Sequence, residues 1–134
     1  MSKKIVITGG IGYIGTELCK IYSGISWNNE ILVIDNRFIS ERVNQLRNWG
    51  IDFIQGDILD KELVNKYCKD ADIVHHLAGI TDVPRVKSQA SNTQDNKIKE
   101  VGEKGTQNIL DTISDKCKII FPSTHVVYEG IEKI

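Results

Sequence analysis

Three β-branched residues, Ile5-Val6-Ile7, run directly into Thr8-Gly9-Gly10-Ile11-Gly12-Tyr13-Ile14-Gly15. Two glycine spacings coexist there, Gly10-x-Gly12-x-x-Gly15 and Gly9-x-x-Gly12-x-x-Gly15. Glycines at the end of a strand permit a tight turn that side chains would block. Ile14, Leu18 and Ile21 follow at helical spacing, and Gly24 supplies a stop, so the loop opens a helix. Strand, glycine loop and helix in that order let backbone N–H groups and a helix N-terminus approach a pyrophosphate. Gly15 then lets the helix pack closely on the strand.

The same rhythm continues along the chain. Short apolar runs recur at Ile31–Ile34, Ile51–Ile54, Ile73-Val74 and Ile119–Phe121. Consecutive β-branched apolar positions fit strands covered on both faces, as in a parallel sheet. Helical stretches separate them. Ser40 is expected to cap one that carries Val43 and Leu46 and ends at Gly50. Asp60 is expected to cap another that carries Leu63, Val64 and Tyr67. A single longer helix is expected to carry Ile98, Val101, Gly105, Ile109 and Ile113. This alternation predicts an α/β doubly wound (Rossmann) fold of five parallel strands in the order 3-2-1-4-5. A polar stretch from Thr81 to Asn96 is long for a strand–helix connection.

A chain of 134 residues predicts one domain, residues 1–134. The 17 Lys and Arg nearly balance the 18 Asp and Glu, so no basic field exists to track a nucleic-acid backbone. No apolar run is long enough for a signal peptide or a membrane span. Cys19, Cys68 and Cys117 are an odd, dispersed set, with no CxxC or Cys/His cluster to hold a metal. Reduced, packed thiols in a cytoplasmic protein are the expectation.

Asp35 sits 20 residues after Gly15, at the end of the second apolar run. A carboxylate there accepts hydrogen bonds from an adenosine ribose and repels a 2′-phosphate, which favours NAD over NADP. Arg37 is close enough to soften that preference.

The glycine loop resembles the cofactor loop of extended short-chain dehydrogenases/reductases, and more narrowly that of the NAD-dependent epimerase/dehydratase family acting on nucleotide sugars. Five further segments agree in order: Ile34-Asp35-Asn36, Gly56-Asp57-Ile58 with Asp60, His76-Leu77-Ala78-Gly79, Gly105-Thr106-Gln107-Asn108-Ile109-Leu110, and Ser123-Thr124-His125-Val126-Val127-Tyr128. The resemblance implies NAD contacts from Gly9, Gly12, Tyr13, Ile14, Gly15, Asp35, Asn36, Asp57, Ile58, Leu77, Ala78 and Gly79. It places Asp57 at the adenine amine. It also implies that Thr124 is the catalytic Ser/Thr, bonding the substrate oxygen that is oxidised.

The sequence departs from the family in two places. The family's base is a Tyr in Y-x-x-x-K, yet Tyr13, Tyr22, Tyr67 and Tyr128 are followed at the fourth position by Glu17, Ser26, Ala71 and Glu132. Gly102 stands where the family usually has Asn, which points to a lost polar contact or to local repacking. The expectation is a front part truncated on its C-terminal side. It would bind NAD, lack the segment that completes catalysis and the substrate domain, and be inactive by itself. Its open sheet edge and uncovered sheet face would favour self-association or a homodimer that covers this face. A stand-alone NAD-binding regulatory module and a half-enzyme completed by a partner are the alternatives.

Other polar and aromatic residues have plainer readings. His75 and His76 are adjacent on a strand, face opposite sides, and read as packing residues. Trp27 and Trp49 read as packing residues near turns, and Asp70 and Asp72 as turn and strand-entry residues. Arg85 and Lys87 are either solvated loop charges or contacts to a substrate phosphate, and His125 lies beside Thr124.

Overall fold

The computed structural model describes residues 3–25, 29–79 and 92–122. Strands β1 (Lys4–Thr8), β2 (Glu30–Asp35), β3 (Asp52–Gln55), β4 (Ile73–His76) and β5 (Lys118–Ile120) form a parallel sheet. Their order is β3-β2-β1-β4-β5, as the alternation predicts. Helices α1 (Tyr13–Ser23), α2 (Ser40–Asn48), α3 (Lys61–Cys68), α4 (Asn92–Glu100) and α5 (Thr106–Thr112) connect them, with a π-helical turn at Val101–Gly105.

Two apolar layers explain the unbroken runs in β1 and β2. Val6, Leu32, Ile34 and Val74 face Val64 and Cys68 of α3 and Ile109 of α5. Ile5, Ile7, Ile31 and Val33 face Cys19 of α1 and Leu46 of α2. A strand buried on both faces needs apolar residues at successive positions, not alternating ones. The sheet ends more openly at β5, where Ile120 is 40% exposed and the following Phe121 58%.

Three local expectations are corrected. The buried stripe of α1 is carried by Gly15 and Cys19, with Leu18 and Tyr22 packed alongside, while Ile14 and Ile21 are exposed. The helix is rotated because Gly15 must face the strand. Ser40 does not cap α2: Ile39 holds the N-cap position and no side chain caps the helix. Asp60 does cap α3, accepting a bond from the Leu63 N–H. The expected long helix is present as one continuous helical run from Asn92 to Thr112 with a π-helical turn inside it, and only Ile113 lies past its end in extended backbone. That turn contains Gly102, and a Cβ there would meet nothing within 4 Å. The polar stretch is shorter than expected at its far end, since Asn92–Asn96 belong to α4.

Candidate functional site

Thr8, Asp35, Gly56 and His76 gather at the C-terminal ends of β1 to β4. The chain runs outward in opposite directions from β1 and β4, and open α/β sheets bind ligands at such a switch point.

The glycine loop forms one wall. Gly9 has a φ of +70°, and a Cβ there would lie 2.8 Å from the Ala78 nitrogen. A Cβ at Gly15 would lie 2.5 Å from the Gly10 Cα, so no side chain fits between helix and loop. At Gly12 a Cβ would meet only the Gly9 oxygen at 3.3 Å and the Arg37 Nη2 at 3.6 Å. Gly12 is the N-cap of α1, without a side-chain cap and without an acidic residue in the first turn. First-turn N–H groups lack partners within the helix and carry the positive end of its dipole. An uncapped, acid-free helix start behind a bare glycine loop fits a pyrophosphate. Tyr13 and Ile14 stand exposed at its entrance. Arg42 of α2 donates to the Ile11 carbonyl and lies 5.4 Å above the Tyr13 ring.

Asp35 is placed as expected, but its carboxylate is occupied. Oδ1 accepts from the Arg37 backbone N at 3.0 Å and from its Nε at 3.2 Å. Oδ2 accepts from Arg37 Nη2 at 3.3 Å and from the Ile11 N–H at 3.4 Å. A carboxylate offers about four acceptor sites, and here the chain itself fills them. Asn36 is exposed and accepts on its carbonyl from Gln55 Nε2 at 3.3 Å.

The other wall is held by side-chain hydrogen bonds. Thr8 Oγ1 accepts from the Leu77 and Ala78 N–H groups, both at 3.1 Å. Those bonds use its acceptor capacity, so its hydroxyl proton goes to His76 Nδ1, 2.8 Å away. The ring proton of His76 is therefore on Nε2, which donates to Thr106 Oγ1 at 2.9 Å. Burial pushes the His76 pKa down to about 4, keeping the ring neutral. Its ring lies 5.6 Å from that of Phe121.

Helix α5 also anchors the loop after β3. Asn108 Nδ2 donates to the Ile58 carbonyl at 2.9 Å, and Gly105 leaves room for the buried Ile58 side chain. Asp57 Oδ1 accepts from the Leu59 N–H at 2.9 Å, holding that loop in a tight turn. The Gly-Thr-x-Asn segment thus ties together the ends of β3 and β4. His75 faces the opposite layer, where its Nε2 meets Tyr22 Oη at 2.6 Å. Burial lowers its pKa and raises that of Tyr22.

Gly9, Gly12, Tyr13, Ile14, Gly15 and Asp35 therefore lie together, with Leu77 and Ala78 beside Gly9, while Asp57 and Ile58 belong to the loop after β3. Thr124, His125, Tyr128, Arg85, Lys87 and Trp27 lie outside the described residues. The sequence reading missed Arg42 and the Thr8–His76–Thr106 chain. The only signal for either was the presence of polar residues in or beside the motifs.

A family model described as the 3-beta hydroxysteroid dehydrogenase/isomerase family matches residues 6–132. The chain belongs to that family. It is 34% identical over 134 residues to dTDP-D-glucose 4,6-dehydratase of Dictyostelium discoideum, covering 94% of this chain and 30% of that protein. It is 31% identical over 130 residues to UDP-N-acetyl-alpha-D-glucosaminuronate decarboxylase of Bacillus cytotoxicus, covering 96% of this chain and 38% of that protein. The crystal structure of UDP-glucose 4-epimerase from Bifidobacterium longum in complex with NAD+ and UDP superposes with a TM-score of 0.75 at 21% identity. That match covers 94% of this chain and 38% of the other, and at this identity it shows the shared fold. The chain spans about a third of the length of these proteins. Family and relatives agree with the epimerase/dehydratase resemblance carried by the six motifs. Among the described residues no helix is long and apolar enough to cross a membrane.

Proposed function

We propose that these 134 residues are the NAD-binding part of a nucleotide-sugar epimerase/dehydratase-type oxidoreductase. The observation that carries the reading is the uncapped, acid-free start of α1 behind a glycine loop into which no Cβ fits at Gly9 or Gly15. The N–H groups from Tyr13 to Gly15 hold the pyrophosphate, and Asp57 and Ile58 flank the adenine. Leu77, Ala78 and Gly79 line the nicotinamide side. A bound NAD supplies reversible hydride acceptance from a sugar carbon. Thr124 orients the substrate oxygen by a hydrogen bond. A hydroxyl without an activating base is a poor proton acceptor, and no Tyr here has a Lys four residues on. These residues by themselves therefore show no turnover of a nucleotide sugar. Self-association through an uncovered face of the sheet belongs to the same reading, and light scattering of the pure chain checks it.

A thermal melt of the pure chain with NAD tests the binding claim. Ligand at 100 times its dissociation constant stabilises a fold by about 2.7 kcal/mol. A rise in Tm that saturates with NAD is the expected result. An unchanged Tm at millimolar NAD would remove the reading, and turnover of a nucleotide sugar by the pure chain would contradict the claim of inactivity.

A further inference from the structure

The N-terminal ends of β1, β2 and β3 lie at the pole of the sheet opposite the crevice, and a cavity of about 320 Å³ opens there. The strand register explains its floor. Side chains alternate along a strand, so Lys4 shares a face with Val6, Glu30 with Leu32, and Asp52 with Ile54. That face is the one on which α3 packs, and Tyr67 in the last turn of α3 forms a wall of the cavity. Leu32 is buried, while Ile54 and Tyr67 are half-buried, so floor and wall are apolar and partly aromatic. Among the described residues no strand lies beyond β3 to close that side.

The charges round this floor are uncommitted. Lys4, Glu30, Arg47 and Asp52 all line the cavity. Lys4 and Glu30 are direct cross-strand partners of opposite charge, an arrangement that ordinarily makes a pair. Yet among the described residues the one ion pair is Arg37 with Asp35. Two cations and two carboxylates therefore surround an apolar floor without contacting one another. Their charges sum to zero, so a simple anion or a simple cation gains no net field here. A small molecule that carries both charges engages both sets, and an apolar ring on it covers the floor. A cavity of this size suits a ligand of that class.

We propose that this cavity binds an aromatic α-amino acid. Its ring lies against Leu32, Ile54 and Tyr67, its carboxylate meets Lys4 and Arg47, and its ammonium meets Glu30 and Asp52. The site is separate from the crevice at the other pole, and the inference does not depend on the dinucleotide reading.

The test is an amide NMR titration of the pure chain with L-phenylalanine, 3-phenylpropionate and phenethylamine. The amino acid carries both charges, and each analogue lacks one of them. L-Phenylalanine is expected to give saturating shifts at Lys4, Glu30, Asp52 and Tyr67. Each analogue is expected to bind about fivefold or more weakly, the worth of a partly exposed charge contact. Glu30→Gln should weaken L-phenylalanine and phenethylamine and leave 3-phenylpropionate unchanged. Arg47→Gln should weaken L-phenylalanine and 3-phenylpropionate and leave phenethylamine unchanged. Both residues are exposed, and a melt of each variant checks its fold. If a variant fails to fold, the comparison of the three ligands on the wild type still decides. Shifts that do not saturate by about 10 mM L-phenylalanine would overturn the inference. So would an analogue that binds as tightly as the amino acid, or shifts that cluster at Gly9 to Gly15 instead.

Discussion

The two walls of the crevice are built by different means. The glycine wall is local: Gly9 to Gly15 and the start of α1 are one continuous stretch, and its shape depends on absent side chains. The His76 wall is assembled from distance. Thr8 bonds residues 68 to 70 positions away, and His76 bonds Thr106 across 30. The first wall is specified by what no side chain can occupy, the second by hydrogen bonds that exist only after folding. A motif can announce the first kind of construction, because exclusion needs only the backbone nearby. It announces the second kind only as a set of polar residues without assigned partners.

The largest effect separating the walls is expected in the glycine loop. Gly15→Ala places its Cβ against backbone atoms of Gly9 and Gly10, which cannot rotate away as a side chain would. Overpacking of this kind costs about 3 kcal/mol. Urea melts of the pure chain measure it, and a loss under about 1 kcal/mol would show that α1 can slide off the loop.

The second wall is expected to fail by pH instead. His76 has its pKa lowered by burial to about 4 from 6.5. The unfolded chain therefore binds more protons between those values, and stability falls as pH drops. The contribution is fully present above pH 6.5 and is lost toward pH 4, roughly 3 kcal/mol in all. His75 acts in the same direction. His76→Gln should lower stability at neutral pH, because an amide carries both polar atoms at its end and does not reproduce the ring nitrogens that bridge Thr8 and Thr106. It should also flatten the acid limb of the profile. An acid limb unchanged by that substitution would mean that other groups carry it.

Smaller effects sharpen the contrast between predicted and observed caps. Asp60→Ala should cost about 1 kcal/mol, the usual loss of an N-cap. Ser40→Ala should lie within about 0.5 kcal/mol of wild type, since Ser40 bonds no helix end. Ile14→Ala should also lie within about 0.5 kcal/mol, because Ile14 is 66% exposed. Equal losses at positions 14 and 19 would restore the apolar stripe read from helical spacing.

That stripe shows where pattern reading gives way. Ile14, Leu18 and Ile21 satisfy helical spacing, yet close packing at Gly15 turns the helix so that Cys19 is buried instead. Periodicity counts apolar residues; it does not know that a glycine without a side chain commands the contact face. Ser40 and Asp60 likewise look equivalent as caps, but only Asp60 has its oxygen on an N–H group. The long helix expected through Val101 does run on, but it takes a π-helical turn there, which hydrophobic spacing cannot register.

By itself the sequence determined the sheet. Consecutive β-branched runs require cover on both faces, and right-handed crossovers then leave the observed strand order. It also determined the glycine loop, since only an unobstructed backbone allows that turn and that approach. The tertiary structure alone decided what each polar side chain bonds. It put Arg37 over Asp35, fixed the proton of His76 on Nε2, and made α5 the clamp on both neighbouring loops. The reason is physical. Apolar burial and backbone exclusion are properties of a residue type in a local pattern. A hydrogen bond is a property of two groups and of the fold that brings them within 3 Å of each other.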